Sequence, residues 1–141
     1  MASIIQISEA ASLALHSMAL LAATPDRPLT VKDITARTGV SEAHLSKVMQ
    51  RLAKAGLVKS TRGPKGGFVL GDAGLSTSLL AIFESIEGPV ADSGCLLLGR
   101  ECPLRACLFD GLLGRMTAEF LHDGQVRPAL ELVSCQKGGP N

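Results

Sequence analysis

Apolar positions recur at helical spacing through most of the chain, and each run is bracketed by capping residues. Glu9 to Ala23 is rich in Ala and Leu. Leu13, Leu20 and Leu21, with Ala10, Ala14 and Ala22 between them, make most of its surface suitable for burial, and Ser8 is the N-cap. Thr24-Pro25-Asp26-Arg27-Pro28 ends this helix and turns the chain. Thr30-Val31-Lys32-Asp33 reads as a capping box with Asp in place of Glu, opening a short helix to about Thr38. Gly39 supplies the turn, Ser41 caps a second helix from Glu42 to about Ala55, and Gly56 closes it. Ile34, Val40, Leu45, Val48, Leu52 and Leu57 fill the space between these helices. Two short capped helices around a Gly-containing turn form a helix-turn-helix pattern.

Two β-prone runs follow, Leu57 to Arg62 and Phe68 to Leu70, around the tip Gly63-Pro64-Lys65-Gly66-Gly67. They predict a hairpin, and a hairpin directly after a helix-turn-helix is a wing. Ser76 or Thr77 is the expected cap of a connecting helix through Leu79, Leu80, Ile82, Phe83 and Ile86, ending at Gly88-Pro89. Beyond a loop, a long helix is expected from Pro103 to about His122. Its Leu104, Leu108, Leu112, Met116 and Phe120 recur every four residues, and Leu113 and Leu121 widen the stripe. Such a stripe needs a partner, most simply the same helix of a second subunit. A short helix from Val126 to Val133 and a Gly/Pro tail complete the chain. The fold class is mainly α with a small β-hairpin wing. Residues 1–87 form a winged helix-turn-helix DNA-binding domain with its connecting helix, 88–102 a cysteine-bearing sensor loop, 103–125 a dimerisation helix and 126–141 a tail.

Charge gives the helix pair a ligand class. Leu29 to Leu70 holds eight Lys/Arg and two acids, or +6, whereas the rest holds six and eleven, or −5. A basic segment in an otherwise acidic chain suits a polyanion. With 3% aromatic residues and no Trp or Tyr, there is little material for stacking single-stranded bases, so double-stranded DNA is the expected partner. The candidate contacts are Ser41, Glu42, His44, Ser46 and Lys47 at the start of the second helix, Arg51, and Arg62 and Lys65 of the wing. Glu42 suits a cytosine amine and His44 a purine, and either can instead serve the helix itself. The wing glycines allow close approach to DNA or simply close the turn. No apolar run reaches membrane-span length and no signal-peptide pattern opens the chain, so a cytoplasmic protein without a membrane partner is expected. No catalytic or phosphate-loop pattern stands out, which argues against an enzyme.

Three cysteines carry the remaining chemistry. Six residues separate Cys95 from Cys102 and four separate Cys102 from Cys107. Pro103 would place Cys102 at a helix N-terminus, where a thiolate is stabilised, and Cys107 about one turn in. Three gathered thiols suit a soft metal or an iron–sulfur cluster. Zinc completed by Asp or His, or bare redox thiols, are the alternatives.

Read together, Ile7 to His16, Leu45 to Leu52, Ala55-Gly56-Leu57-Val58 and Arg62-Gly63-Pro64-Lys65-Gly66-Gly67-Phe68 resemble the Rrf-type bacterial regulators, which include IscR- and NsrR-like iron–sulfur members. The resemblance spans about Ile7 to Phe120, and the Arg-Gly-x-x-Gly-Gly-aromatic wing is its most specific part. It implies a winged-helix homodimer on operator DNA, with Cys95, Cys102 and Cys107 as ligands of a [2Fe–2S] or [4Fe–4S] cluster that senses iron–sulfur status, redox state or nitric oxide. The six-and-four spacing departs from the even five-and-five associated with the family. For the fourth ligand the resemblance points to Asp110, then His16, then Glu9. Asp110 stands where some relatives have histidine, and Ser12 and His16 stand where others carry a ligand from the partner's first helix. His16 also suits a core or interface histidine, and Cys135 a bystander.

Overall fold

A computed structural model describes residues 5–91, 94, 95, 97 and 101–128. Three helices form the first half: α1 (Glu9–Ala23), α2 (Val31–Thr38) and α3 (Glu42–Lys54). Each begins where a side chain accepts a free N–H of the first turn. Ser8 accepts from Ala11, Thr30 from Asp33 and Ser41 from His44. The Asp33 carboxylate reaches back to the Thr30 N–H at 2.9 Å and completes the expected capping box. These bonds, with Arg27 3.5 Å away, hold the Asp33 carboxyl below its usual range, the Thr30 backbone bond contributing most. Gly39 ends α2 in the left-handed conformation.

The wing is an antiparallel pair, β1 (Val58–Thr61) and β2 (Gly67–Leu70), with Val58 opposite Leu70 and Thr61 opposite Gly67. Leu29 bridges to the other edge of β2, exchanging both backbone hydrogen bonds with Phe68 at 2.8 and 3.0 Å. This explains Gly67. A Cβ there would lie 2.7 Å from the Leu29 carbonyl oxygen, and φ is +150°. Gly66 is similarly confined by the Thr61 carbonyl. Both wing glycines are therefore required by the hairpin's own packing.

α4 (Leu79–Glu87) returns across α1 and α3. One core joins Leu13, Met18 and Leu21 of α1 to Ile34, to Leu45, Val48, Met49 and Leu52 of α3, and to Ile82 and Ile86 of α4. The cap of α4 is Ser78, one residue beyond Thr77 and two beyond Ser76. Thr77 is buried and its hydroxyl donates to the Ala73 carbonyl instead.

The largest departure from expectation lies at the last helix. α5 (Leu112–Val126) starts nine residues after Pro103; residues 103–107 are irregular and 108–111 form a turn. Asp110 (φ +48°) and Gly111 (φ +73°) are both left-handed, and no α-helix continues through two such residues. The every-fourth spacing of Leu104 and Leu108 with Leu112 is thus not helical, and Leu108 is 75% exposed. α5 packs on α4 through an edge-to-face contact of Phe83 with Phe120 at 5.2 Å between ring centres. It also continues to Val126, beyond His122. After it, Arg127 is extended and Pro128 bridges to Ser78, so no helix opens at Val126. Residues 129–133 of that expected helix and Cys135 lie outside the described residues.

Candidate nucleic-acid interface and cysteine loop

Helical geometry divides α3 into faces. Leu45, Val48, Met49 and Leu52 are buried, whereas Ala43, Lys47, Gln50 and Lys54 are exposed at spacings of four, three and four. Lys47, Gln50 and Lys54 therefore project together, with half-buried Ser46 beside them and Glu42 exposed in the first turn. Ser41 is exposed, and its hydroxyl accepts the His44 N–H at 3.2 Å. Gln50 was not singled out by the sequence. The signal was present, because Gln50 lies seven residues after Ala43, opposite the apolar stripe. Arg62 and Lys65 are exposed at the wing tip. Lys59, at the wing's root, is instead engaged by Asp72 at 2.7 Å.

Two expected DNA contacts have partners within the chain. His44 is half-buried, with Nδ1 3.6 Å from a Glu9 carboxylate oxygen of α1. Arg51 donates from Nη2 to the Ile86 carbonyl in the last turn of α4.

The three thiols are free, with Cys95 half-buried and Cys102 and Cys107 exposed. Cys102 is not at a helix N-terminus and Cys107 is not within a helix, since both precede α5. Cys107 has a different stabiliser. Its thiol is held below the usual range chiefly by the backbone N–H of Gly111, then by those of Phe109 and Asp110. Asp110 and Gly111 are both left-handed here, and the Asp110 N–H donates to the Cys107 carbonyl at 3.2 Å, closing a tight turn beside the sulfur. Arg115 fixes this turn by donating to the Asp110 carbonyl at 2.8 Å. His16 is exposed, and its Nδ1 lies 2.7 Å from the Ser12 carbonyl oxygen one helical turn back. Among the described residues, no three His, Cys, Asp or Glu side chains come together in one chain. Cys95, Cys102, Cys107, Asp110 and His16 are thus not gathered into a formed site. The donor chemistry still fits a soft centre, because the three thiols are free and that of Cys107 is held below its usual range by nearby backbone N–H groups.

The fold is a winged helix-turn-helix with an exposed polar and basic face on α3. Residues 7–121 match the Rrf2 family, described as an iron-dependent transcriptional regulator. The chain belongs to the Rrf2 family of transcriptional regulators, a family of regulators and not of enzymes. It is 35% identical over 83 residues to the transcriptional regulator IscR of Yersinia enterocolitica, an alignment covering 59% of this chain and 46% of that relative. The chain thus matches about half the length of such relatives. Among solved structures, it resembles CymR, the global cysteine regulator of B. subtilis, at 26% identity and a TM-score of 0.76, over 95% of this chain and 100% of that one. T. potens IscR shares the fold at 20% identity and a TM-score of 0.73, over 97% and 95%. Among the described residues no helix is long and apolar enough to cross a membrane.

Proposed function

We propose that this chain is a homodimeric sensor-regulator of the cytoplasm that binds double-stranded operator DNA and reads an iron–sulfur cluster held by Cys95, Cys102 and Cys107. The observation that carries the reading is the coexistence, in one Rrf2-family chain, of an exposed polar and basic face on α3 with three free thiols in the loop before α5. Ser41, Glu42, Ser46 and Lys47 enter the major groove with the start of α3, and Arg62 and Lys65 meet phosphates or the minor groove. A second copy covers the apolar side of α5, where Leu112 and Phe120 remain exposed beside an open groove lined by Leu15, Leu79, Leu80 and Phe83. A two-fold dimer then matches a pseudo-palindromic site.

The cluster would supply sensitivity to iron supply, oxidants or nitric oxide. This chain's residues would provide the thiolates, with the turn Cys107–Gly111 favouring the thiolate form of one sulfur and Asp110, His16 or Glu9 completing the set. A change in ligation would reorder the loop from Gly88 onward and so shift the two reading heads relative to each other. The deciding experiment is anaerobic purification with visible absorption, iron and acid-labile sulfide analysis. Colour with iron and sulfide is expected, and it is expected to be lost in Cys102→Ser and Cys107→Ser. A second reading, a regulator whose cysteines bind zinc or act as redox thiols, is favoured by the separation of the thiols in the single chain. A colourless, iron-free sample loaded with zinc, or free of metal with reactive thiols, would establish it instead.

A further inference from the structure

The end of α4 is electrostatically the wrong place for its own residues. A helix C-terminus carries partial negative charge and favours cations, yet the last turn of α4 holds Glu84 and Glu87 and no basic residue. Each acidic group is used to hold something. Glu84 accepts the Val90 N–H at 3.1 Å, clipping the start of the cysteine loop back onto the helix. Glu87 accepts the Ser8 hydroxyl at the start of α1. The missing cation comes from α3, where Arg51 donates to the Ile86 carbonyl. Two residues later, Gly88 turns the chain out with φ +81° and ψ 178°, a conformation essentially confined to glycine. Seven residues before Arg51, on the same flank of α3, His44 faces Glu9.

We propose that Arg51 is a positioning residue that ties the DNA-reading helix to the root of the cysteine loop, so that the conformation at Ile86–Val90 sets the orientation of α3. This rests on the reading of the chain as a DNA-binding sensor and replaces a phosphate role for Arg51. Arg51 lies on the flank between buried Val48 and outward Lys47, and its guanidinium is turned toward α4. The contact of His44 with Glu9 and that of Ser8 with Glu87 extend the same seam to the other end of α3.

The test is a double-mutant cycle of Arg51→Gln with Gly88→Ala in the full chain. The probe is a duplex that the wild-type protein selects from a random-sequence pool, with binding measured across a salt series. Gly88→Ala forces the loop root out of its conformation and is expected to change affinity at least about fivefold in the wild-type background. It is expected to change affinity less than about twofold in the Arg51→Gln background. The Arg51→Gln salt slope should equal that of wild type. Equal factors in both backgrounds, no effect of Gly88→Ala in either, or a slope smaller by about 0.9, the signature of one lost phosphate contact, would each overturn the proposal. If Arg51→Gln does not fold, Arg51→Met, which keeps the stem without the donors, takes its place in the cycle. If the wild-type chain selects no duplex, the functional reading fails separately and amide exchange decides the inference. Gly88→Ala should then speed exchange in the last turn of α3 only when Arg51 is present, and an equal change in both backgrounds overturns it.

Discussion

The helix-turn-helix and the cysteine loop contain comparable apolar residues and use them in opposite ways. In residues 9–87, Leu45, Leu52, Ile34 and Ile82 are fully buried, and every helix start is fixed by a side-chain cap. In residues 101–111, Leu104, Leu108 and Phe109 are exposed, and α5 starts without a side-chain cap. The first region is a completed fold that presents a surface. The second is held locally by the left-handed turn Asp110-Gly111 and leaves its apolar side chains in solvent. The proposed function uses this asymmetry, because a loop that serves as an input has to reorganise more easily than the helices that carry the DNA-binding face.

The sharpest way to break this comparison is to truncate one leucine in each region. Leu52→Ala should lower unfolding free energy by about 2–5 kcal/mol, through lost burial and a residual cavity. Leu108→Ala should stay within about 0.5 kcal/mol. Denaturant melts of the two variants check this, and a similar loss in both would mean that the loop is part of the monomer's core. Next in size is Gly67→Ala, which combines a 2.7 Å approach to the Leu29 carbonyl oxygen with φ +150°. A loss of about 1–3 kcal/mol is expected, with DNA affinity falling along with wing order. A variant that melts like wild type but no longer binds would instead make the glycine a DNA contact.

On the reading face, Lys65→Ala should weaken binding to all duplexes alike and reduce the salt slope by about 0.9, as one phosphate contact does. An unchanged slope would remove Lys65 from the phosphate contacts. The smallest effect belongs to the α2 capping box. Asp33 has a depressed folded pKa, so its contribution is present above the ordinary value of 3.8 and is lost as pH falls through the folded value. Wild type should therefore melt above Asp33→Asn at neutral pH, and the gap should close in acid.

What could be read from sequence divides along the same line. α1, α2, α3 and the wing were legible to within a residue or two, because caps, glycines and apolar period agree with the packing that results. The start of α5 was not. An apolar residue every fourth position is a helical signal only when the backbone between is helical, and the turn is set by Asp110 at positive φ, which no spacing reveals. For the site, the outward face of α3 followed from its period, and the same period contained Gln50. The inward engagement of His44 and Arg51 did not follow, because their partners, Glu9 and Ile86, lie 35 residues away on either side. The three thiols are free in the structure, but the placement of Cys102 and Cys107 at a helix start inherited the error over α5.

In the proposed sensor, the state of the cysteine loop changes how α3 meets DNA. This is tested most directly by measuring operator affinity on one anaerobic preparation before and after iron is removed by a chelator, with Cys107→Ser alongside. The account predicts a change of at least about fivefold on iron removal, and no further change in Cys107→Ser. Identical affinity with and without iron, in a wild-type sample shown to carry the cluster at the start, would contradict it.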